Sequence, residues 1–229
     1  MNKLKIAKIG LVAIAVVALV VSQVAVYNYA LNMGYNSAVT SLALALRQAG
    51  ATVDITDVGD GKYELHVHFP TVEGQAGMLT VPFELHMTVE QWRNGELVSR
   101  TTHPMTLTDL GKNWIADKIS GVNTNFAKNA TYISVSNSSL AVDVAWTSID
   151  AEITDGGLAR ATNSTTDTGT GTWTCMITFS VTLTRSTKLY GYSYDSAGGL
   201  IAAEQQGTGS QKNLIDGDTL KITVTGTIS

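Results

Sequence analysis

Cysteine is nearly absent from this sequence of 229 residues. The single cysteine, Cys175, cannot form an intramolecular disulfide and cannot supply a cysteine-based metal site. An exported fold would therefore have to depend on its apolar core. Cys175 stands in an alternating apolar pattern, so we predict that it is a small buried hydrophobic residue, with a reactive thiol as the alternative.

Charge is also scarce, and basic residues are in the minority. Charged residues make up 15% of the chain, with 15 Lys and Arg against 19 Asp and Glu. Three of the basic residues, Lys3, Lys5 and Lys8, precede the apolar run at 9–26, whereas all 19 acidic residues follow it, so the rest of the chain is clearly acidic. Nucleic-acid binding needs a basic surface that displaces counterions. We therefore predict no nucleic-acid partner.

The motifs of common catalytic sites are lacking as well. The sequence contains no nucleophile elbow, no phosphate-cradling glycine loop and no Cys-x-x-Cys-His haem site. Closely spaced carboxylates occur only in turns or on polar strand faces. We therefore predict that the protein is not an enzyme and carries no cofactor.

What the sequence does have is a long apolar run near its start. Residues 9–26 are uncharged and apolar except for Ser22 and Gln23. A helix needs roughly 20 such residues to cross a bilayer, and lysines on one flank favour keeping that flank in the cytoplasm. We predict that 1–26 is a membrane anchor with the C-terminal part outside the cell. The alternative is a cleaved signal peptide, although cleavage after Ala25 or Ala30 fits the small-x-small rule poorly.

The following residues predict a stalk. Apolar residues recur with a 3.6-residue period over 27–50, which indicates an amphipathic helix that ends at Gly50. Small and medium apolar side chains on one stripe suit helix–helix contact. We therefore expect the N-terminal helix to contact membrane lipid or another copy of the chain, giving a homo-oligomer or filament, and we place self-association at Val39, Leu42 and Leu46.

After Gly50 the period changes to 2, which indicates strands. We predict a small antiparallel β unit over 51–104, with a two-residue hairpin turn at Asn94-Gly95. Polar residues on its two long strands include several histidines. If those strands paired so that the rings converged, they could hold zinc, whereas a solvated outer face is the alternative. The metal candidates are His66, His68 and His86.

Residues 105–229 predict a second domain. Thr108 is a typical N-cap for a short amphipathic helix over 109–119, and the rest alternates with Gly-rich turns. This pattern favours a β-sandwich of Ig-like or jelly-roll-like type, so the fold class is mainly β behind an N-terminal hydrophobic helix. The predicted core of this domain comprises Trp173, Ile177, Phe179, Ile222 and Val224.

Two acidic groups and three sequons complete the candidate sites. Calcium could use Asp216 and Asp218, although a turn is the simpler role, and Asp150, Glu152 and Asp155 form a second acidic group. Asn-x-Ser/Thr sequences are glycosylation acceptors in exported proteins. The glycosylation candidates are Asn129, Asn137 and Asn163.

Several short motifs follow one another along residues 105–229, and their order is more specific than any one of them. Residues 108–116 fit T-x-x-G-x-x-x-I-A, residues 132–137 fit Y-I-x-x-S-N, and residues 146–161 fit W-x-x-x-x-x-E-I-x-x-x-G-L-x-R-A. The last segment, 217–223, fits G-D-T-L-x-V-T with Ile222 at the valine position. Together they resemble small β-rich structural proteins of tailed viruses and proviruses, including archaeal ones. The resemblance implies a non-catalytic tail or surface component.

We therefore predict a non-catalytic structural or adhesion protein, tethered to a membrane or assembled at an extracellular surface. One alternative is a pilin-like filament subunit whose N-terminal helix packs in the filament core. The other is a tail-type structural protein of a virion or provirus.

Overall fold

The computed structural model of the chain describes residues 51–72, 75–120, 129–169, 171–207 and 210–228. The predicted anchor 1–26 and stalk 27–50, with Val39, Leu42 and Leu46, lie outside the described residues. No helix within the described ranges has the length and apolar character that a membrane span needs.

The described residues form a mainly β structure with one helix, α1 (Asp109–Ser120). The strands follow one another along the chain as β1 (Thr52–Gly59), β2 (Lys62–Val72), β3 (Gln75–Arg93), β4 (Glu96–Pro104), β5 (Thr106–Leu107), β6 (Tyr132–Ser136), β7 (Ala161–Thr162), β8 (Thr165–Gly169), β9 (Thr172–Ser180), β10 (Arg185–Thr187), β11 (Leu189–Ser193), β12 (Leu200–Gln205), β13 (Lys212–Leu214) and β14 (Thr219–Ile228).

These strands form two main antiparallel sheets and a short ribbon. The large sheet has the order β1-β2-β3-β14-β9-β8, and β4 pairs with β3 as a seventh strand. The small sheet has the order β5-β12-β11-β6-β7, and β10 pairs with β13. The long strand β3 is central to the large sheet, because β14 lies along one side of it while β2 and then β4 lie along the other.

Strands from both sides of the predicted boundary at residue 104 lie in one sheet. Strand β14 pairs with β3 over ten residue pairs, from Thr219↔Trp92 to Ile228↔Phe83. The strands within 51–104 therefore share one sheet with β9 and β14 from the C-terminal part of the chain. Sequence periodicity identifies strands but not their distant partners.

The turn at Asn94-Gly95 is confirmed. Both residues have positive φ, 52° for Asn94 and 81° for Gly95. Two consecutive left-handed residues match the right-handed twist of the strands they join, and Asn and Gly adopt this conformation most readily. The turn sets the end of the β3–β4 hairpin, with Arg93 opposite Glu96.

One apolar core lies between the two sheets. The large sheet contributes inward residues such as Leu85, Val89 and Ile222, and the small sheet contributes Ile133 and Tyr190. Inward residues alternate with outward polar ones on β3 and β14, as the period of 2 requires. Of the predicted core, Ile177, Phe179, Ile222 and Val224 are buried, and Trp173 packs against the core while half-buried.

Cys175 is part of this core, as predicted. Its side chain is fully buried and unbonded to another cysteine. Burial raises the pKa of the Cys175 thiol to about 11. A thiol that keeps its proton at neutral pH is a poor nucleophile, so Cys175 is a packing residue.

Two contacts fix the passage of the chain from the large sheet to the small one. The Tyr63 hydroxyl on β2 donates to the Met105 carbonyl at 2.7 Å and accepts from the Leu107 amide at 2.7 Å.

Just beyond, Thr108 caps α1 as predicted, because its hydroxyl accepts from the Gly111 amide at 2.9 Å. A Cβ at position 111 would lie 2.0 Å from the Ile201 carbonyl oxygen, so only glycine lets α1 approach β12 this closely.

Candidate functional site

The three candidate histidines lie on the outer face of the large sheet but do not converge. His66 and His68 are near each other, with ring centroids 6.4 Å apart. His66 lies opposite Thr80 on β3, whereas His86 is six residues further along that strand. Six residues of strand span about 20 Å, so the register keeps His86 from sharing an ion with the other two.

Each of these histidines lies beside a carboxylate instead. The Nε2 atom of His68 is 3.2 Å from an Asp54 oxygen. The Nε2 atom of His66 is 3.5 Å from a Glu64 oxygen, and the Nε2 atom of His86 is 3.5 Å from a Glu84 oxygen. Within the described residues, no three His, Cys, Asp or Glu side chains are grouped so that they could hold a metal ion.

Two of the three acidic candidates between residues 150 and 155 are held by arginines. Glu152 accepts two hydrogen bonds from Arg160, at 2.9 and 2.6 Å, and Asp155 is 2.7 Å from Arg185. Asp150 contributes its backbone carbonyl, which accepts from the Ser136 hydroxyl. The guanidinium groups thus occupy the positions that a cation would need at Glu152 and Asp155.

Asp218 is the most completely satisfied of these carboxylates. It accepts hydrogen bonds from Arg93 at 2.8 and 2.9 Å, from Gln91 at 2.8 Å and from the Ile215 amide at 3.0 Å. The Arg93 hydrogen bonds lower the pKa of Asp218 to about 2, with smaller contributions from the Ile215 amide and Gln91. These hydrogen bonds connect the turn before β14 to the end of β3. The sequence predicted a turn role for this residue.

The segment 146–161 covers part of the small sheet through Trp146 and Ile149, while its Ile153 and Leu158 belong to the main core. Trp146 packs against a second, smaller apolar cluster that includes Ile149 and Leu200. Arg160, besides binding Glu152, donates to the backbone carbonyls of Asp195 and Gly198 at 3.0 and 3.2 Å. These bonds attach the covering segment to the β11–β12 turn.

Sequence reasoning missed a group of polar side chains at the edge of the core, between β4 and the end of β12. We name it the inter-sheet polar cluster: Thr101, His103, Tyr190, Glu204 and Gln206. Thr101 donates to the Gln206 side-chain oxygen at 2.9 Å, and His103 Nδ1 is 3.7 Å from Glu204 Oε1. Tyr190 is the cross-strand partner of Glu204. The cluster therefore joins the large sheet to the small one.

Burial makes the electrostatics of this cluster unusual. The Glu204 side chain is only 11% exposed, and this burial raises the pKa of its carboxyl to about 8. Burial likewise raises the pKa of Tyr190, and it lowers the pKa of the nearby strand residue Lys212 on β13. The Nε2 atom of Gln206 is buried without a hydrogen-bond partner among the described residues. The Glu204 carboxyl therefore keeps its proton to a higher pH than an exposed glutamate does.

The signal for this cluster was present but easy to overlook. Ala202 faces the core, and a strict period of 2 continues from Ala202 to Glu204 and Gln206. Glu204 and Gln206 are both buried. An alternation that carries polar residues onto the core face predicts buried polar groups, which need partners from another strand.

A shallow groove of about 400 Å³ opens elsewhere, and Tyr132 and Tyr194 contribute to its walls. Trp114 from α1 stacks on Tyr194 with ring centroids 6.3 Å apart and an interplanar angle of 10°. The predicted glycosylation candidate Asn129 lies on the rim. We assign this groove no ligand.

Comparison with protein-family models, with characterised proteins and with solved structures found no match to this chain.

Proposed function

We propose that this chain is a non-catalytic structural or adhesion module held at an extracellular surface through its N-terminal apolar segment. The two sheets around a shared core support a β-sandwich, Ig-like or jelly-roll-like, as its architecture. The charged residues that the sequence offered as ligands mostly hold the fold together: Glu152 with Arg160, Asp155 with Arg185, and Asp218 with Arg93. Their contacts support a structural use of these groups.

The observation that carries this proposal is the direction in which the large sheet extends. Strand β1 begins at Thr52, which is in register with His68, and His68 is in register with Met78 near the start of β3. Strand β3 then continues to Arg93 at the Asn94-Gly95 turn. Fifteen residues of strand separate Met78 from Arg93, a distance of about 50 Å. An anchor preceding residue 51 would hold the sheet by one end and present the other.

The end far from residue 51 exposes apolar side chains. Leu97 and Val98, directly after the Asn94-Gly95 turn, are 46% and 50% exposed. Exposed apolar residues at the end of a rigid element suit contact with another molecule. The same geometry suits the filament alternative, in which N-terminal helices associate and the β-structures project outward.

Fractionation of the native protein tests this proposal. We expect the full chain to sediment with membranes or with surface assemblies, and to become accessible to added protease on intact cells or particles. A variant without residues 1–26 should lose this association. A full chain that is soluble and monomeric without detergent would contradict the proposal.

The mass of the native N-terminus separates the two modes of attachment. An intact Met1 indicates an uncleaved anchor. A new terminus just before the apolar run, in a protein recovered as filaments, would favour the pilin-like alternative. A terminus at residue 26 or beyond would show that the apolar run is a cleaved signal peptide.

A further inference from the structure

We propose that Asn137 is the residue of this chain that carries an N-linked glycan, and that Asn163, although it also stands in an acceptor sequence, does not. The assignment rests on the proposed function, because N-linked sugars are added to exported chains. We make no assignment for Asn129, which adjoins residues 121–128.

Asn137 is presented with its side chain unengaged. It follows β6 directly and is exposed, and its amide makes no hydrogen bond among the described residues. The acceptor sequence needs a hydroxyl two positions later, and that residue, Ser139, is exposed as well. A sugar on the Asn137 nitrogen would therefore project into solvent without displacing another group.

The backbone around Asn137 is held in place. The Ser138 amide donates to the Ser136 hydroxyl at 2.9 Å, and the Ser139 carbonyl accepts from the Gln205 side chain at 2.6 Å. These contacts use none of the Asn137 side-chain atoms. A glycan there is compatible with every contact that positions the loop.

Asn163 differs because both ends of its side-chain amide are engaged. Its Nδ2 donates to the Met176 carbonyl on β9 at 2.7 Å, and its Oδ1 accepts from the Ser164 amide at 2.8 Å. Attachment of a sugar would replace one hydrogen of Nδ2 with a bulky group beside β9. The folded chain disfavours that modification although the sequence permits it.

The covalent step is a glycosyl transfer. The Asn137 Nδ2 forms a bond to the anomeric carbon of an oligosaccharide that is activated as a lipid-linked phosphate ester. The bond between that carbon and the phosphate oxygen breaks, the lipid phosphate leaves with the electron pair, and the amide nitrogen loses one proton. The membrane transferase and its lipid-linked donor are supplied by the host.

Two exposed apolar residues in the same loop give the modification a physical consequence. Leu140 is 57% exposed and Val144 is 41% exposed. A hydrated glycan on Asn137 would shield this stretch from proteases and from unwanted association. We expect the glycosylated chain to be cleaved within 137–145 several-fold more slowly than the unglycosylated chain.

The test is glycopeptide mass spectrometry of the full chain, expressed in its native host and recovered from the membrane or surface fraction. The matched variants are Ser139→Ala, which destroys the acceptor sequence, and Ser138→Ala, which keeps it. We expect the wild type and Ser138→Ala to carry the same added mass on the Asn137 peptide. Ser139→Ala should lose that mass completely, and Thr165→Ala, which destroys the Asn163 acceptor, should change nothing.

The outcomes separate this inference from the proposed function. A surface-located chain with an unmodified Asn137 overturns the inference and leaves the proposed function standing. Equal modification of Asn163 overturns the discrimination between the two sites. A chain confined to the cytoplasm overturns both proposals.

Discussion

Replacing Glu204 with glutamine should make the protein more stable at neutral pH, and the gain should grow with pH. Glu204 is buried beside His103 and opposite Tyr190, and its carboxyl has a pKa raised from 4.5 to about 8 by burial. Below about pH 4.5 the carboxyl is protonated in the folded and unfolded chains alike. As the pH rises, the unfolded chain loses this proton first while the folded chain retains it. Stability therefore falls from about pH 4.5 to pH 8 and is constant above.

The size of the effect follows from the two pKa values. Each unit of difference corresponds to about 1.4 kcal/mol, so the penalty reaches about 3 kcal/mol at pH 7 and about 5 kcal/mol above pH 9. Glutamine has nearly the same shape and cannot ionise, so Glu204→Gln removes the penalty. It should match the wild type at pH 4 and exceed it by up to about 3 kcal/mol at pH 7.

Urea unfolding of the full chain in mild detergent, at half-unit steps from pH 4 to pH 9, measures this difference. Glu96→Gln is the matched control, because Glu96 is exposed at the β3–β4 turn and should leave the pH dependence unchanged. The reasoning is refuted if Glu204→Gln follows the wild type in parallel at every pH. It is equally refuted if the variant is less stable at pH 7 than at pH 4, relative to the wild type.

Four further substitutions test other parts of the chain. Phe179→Ala should cost about 3–5 kcal/mol in the same unfolding assay, because Phe179 is 3% exposed in the core; a cost below about 1 kcal/mol would contradict that packing. Asp218→Ala should lower the free energy of unfolding by about 3 kcal/mol at pH 7, because it leaves Arg93 and Gln91 without their acceptor. This difference in stability from the wild type should persist above about pH 4 and disappear as the pH falls through about 2. Val39→Glu and Leu42→Glu should disperse the assembly in sedimentation while circular dichroism of the β-structure is retained, and normal assembly of these variants would exclude the stalk as the contact.

Local patterns predicted the strands and the helix because they depend on neighbouring residues alone. The alternation in β9 placed Cys175, Ile177 and Phe179 on one face, and all three are buried. The cap at Thr108 and the turn at Asn94-Gly95 depend on the backbone preferences of single residues. These elements could be predicted without knowledge of the rest of the chain.

Partnering between strands could not be predicted in the same way. Strand β14 reaches β3 across more than a hundred residues of sequence, and no periodicity records which distant strand is the neighbour. For the same reason the possible convergence of His66, His68 and His86 stayed open until the register of β2 and β3 was known. A metal site of this kind depends on register, and a shift of two residues would change which side chains meet.

The inter-sheet polar cluster shows a different limit. Glu204 carries a charge in the unfolded chain at neutral pH, and average burial statistics place glutamate on the surface. The position of β4 brings His103 to 3.7 Å from Glu204 and Thr101 into a hydrogen bond with Gln206, and no local pattern in β12 records either contact. The altered pKa of Glu204 is a property of the assembled sheets and not of the segment that contains it.

The residues of the motifs at 146–161 and 217–223 are explained by what they contact. Glu152 and Arg160 bind each other and fix the covering segment, and Asp218 joins the turn before β14 to Arg93. Gly157 has a φ of 77°, and a Cβ there would lie 1.8 Å from the Ser180 carbonyl oxygen. Each of these residues is explained by packing, hydrogen bonding or backbone geometry within the fold. The architecture of the two sheets therefore accounts for these motif residues.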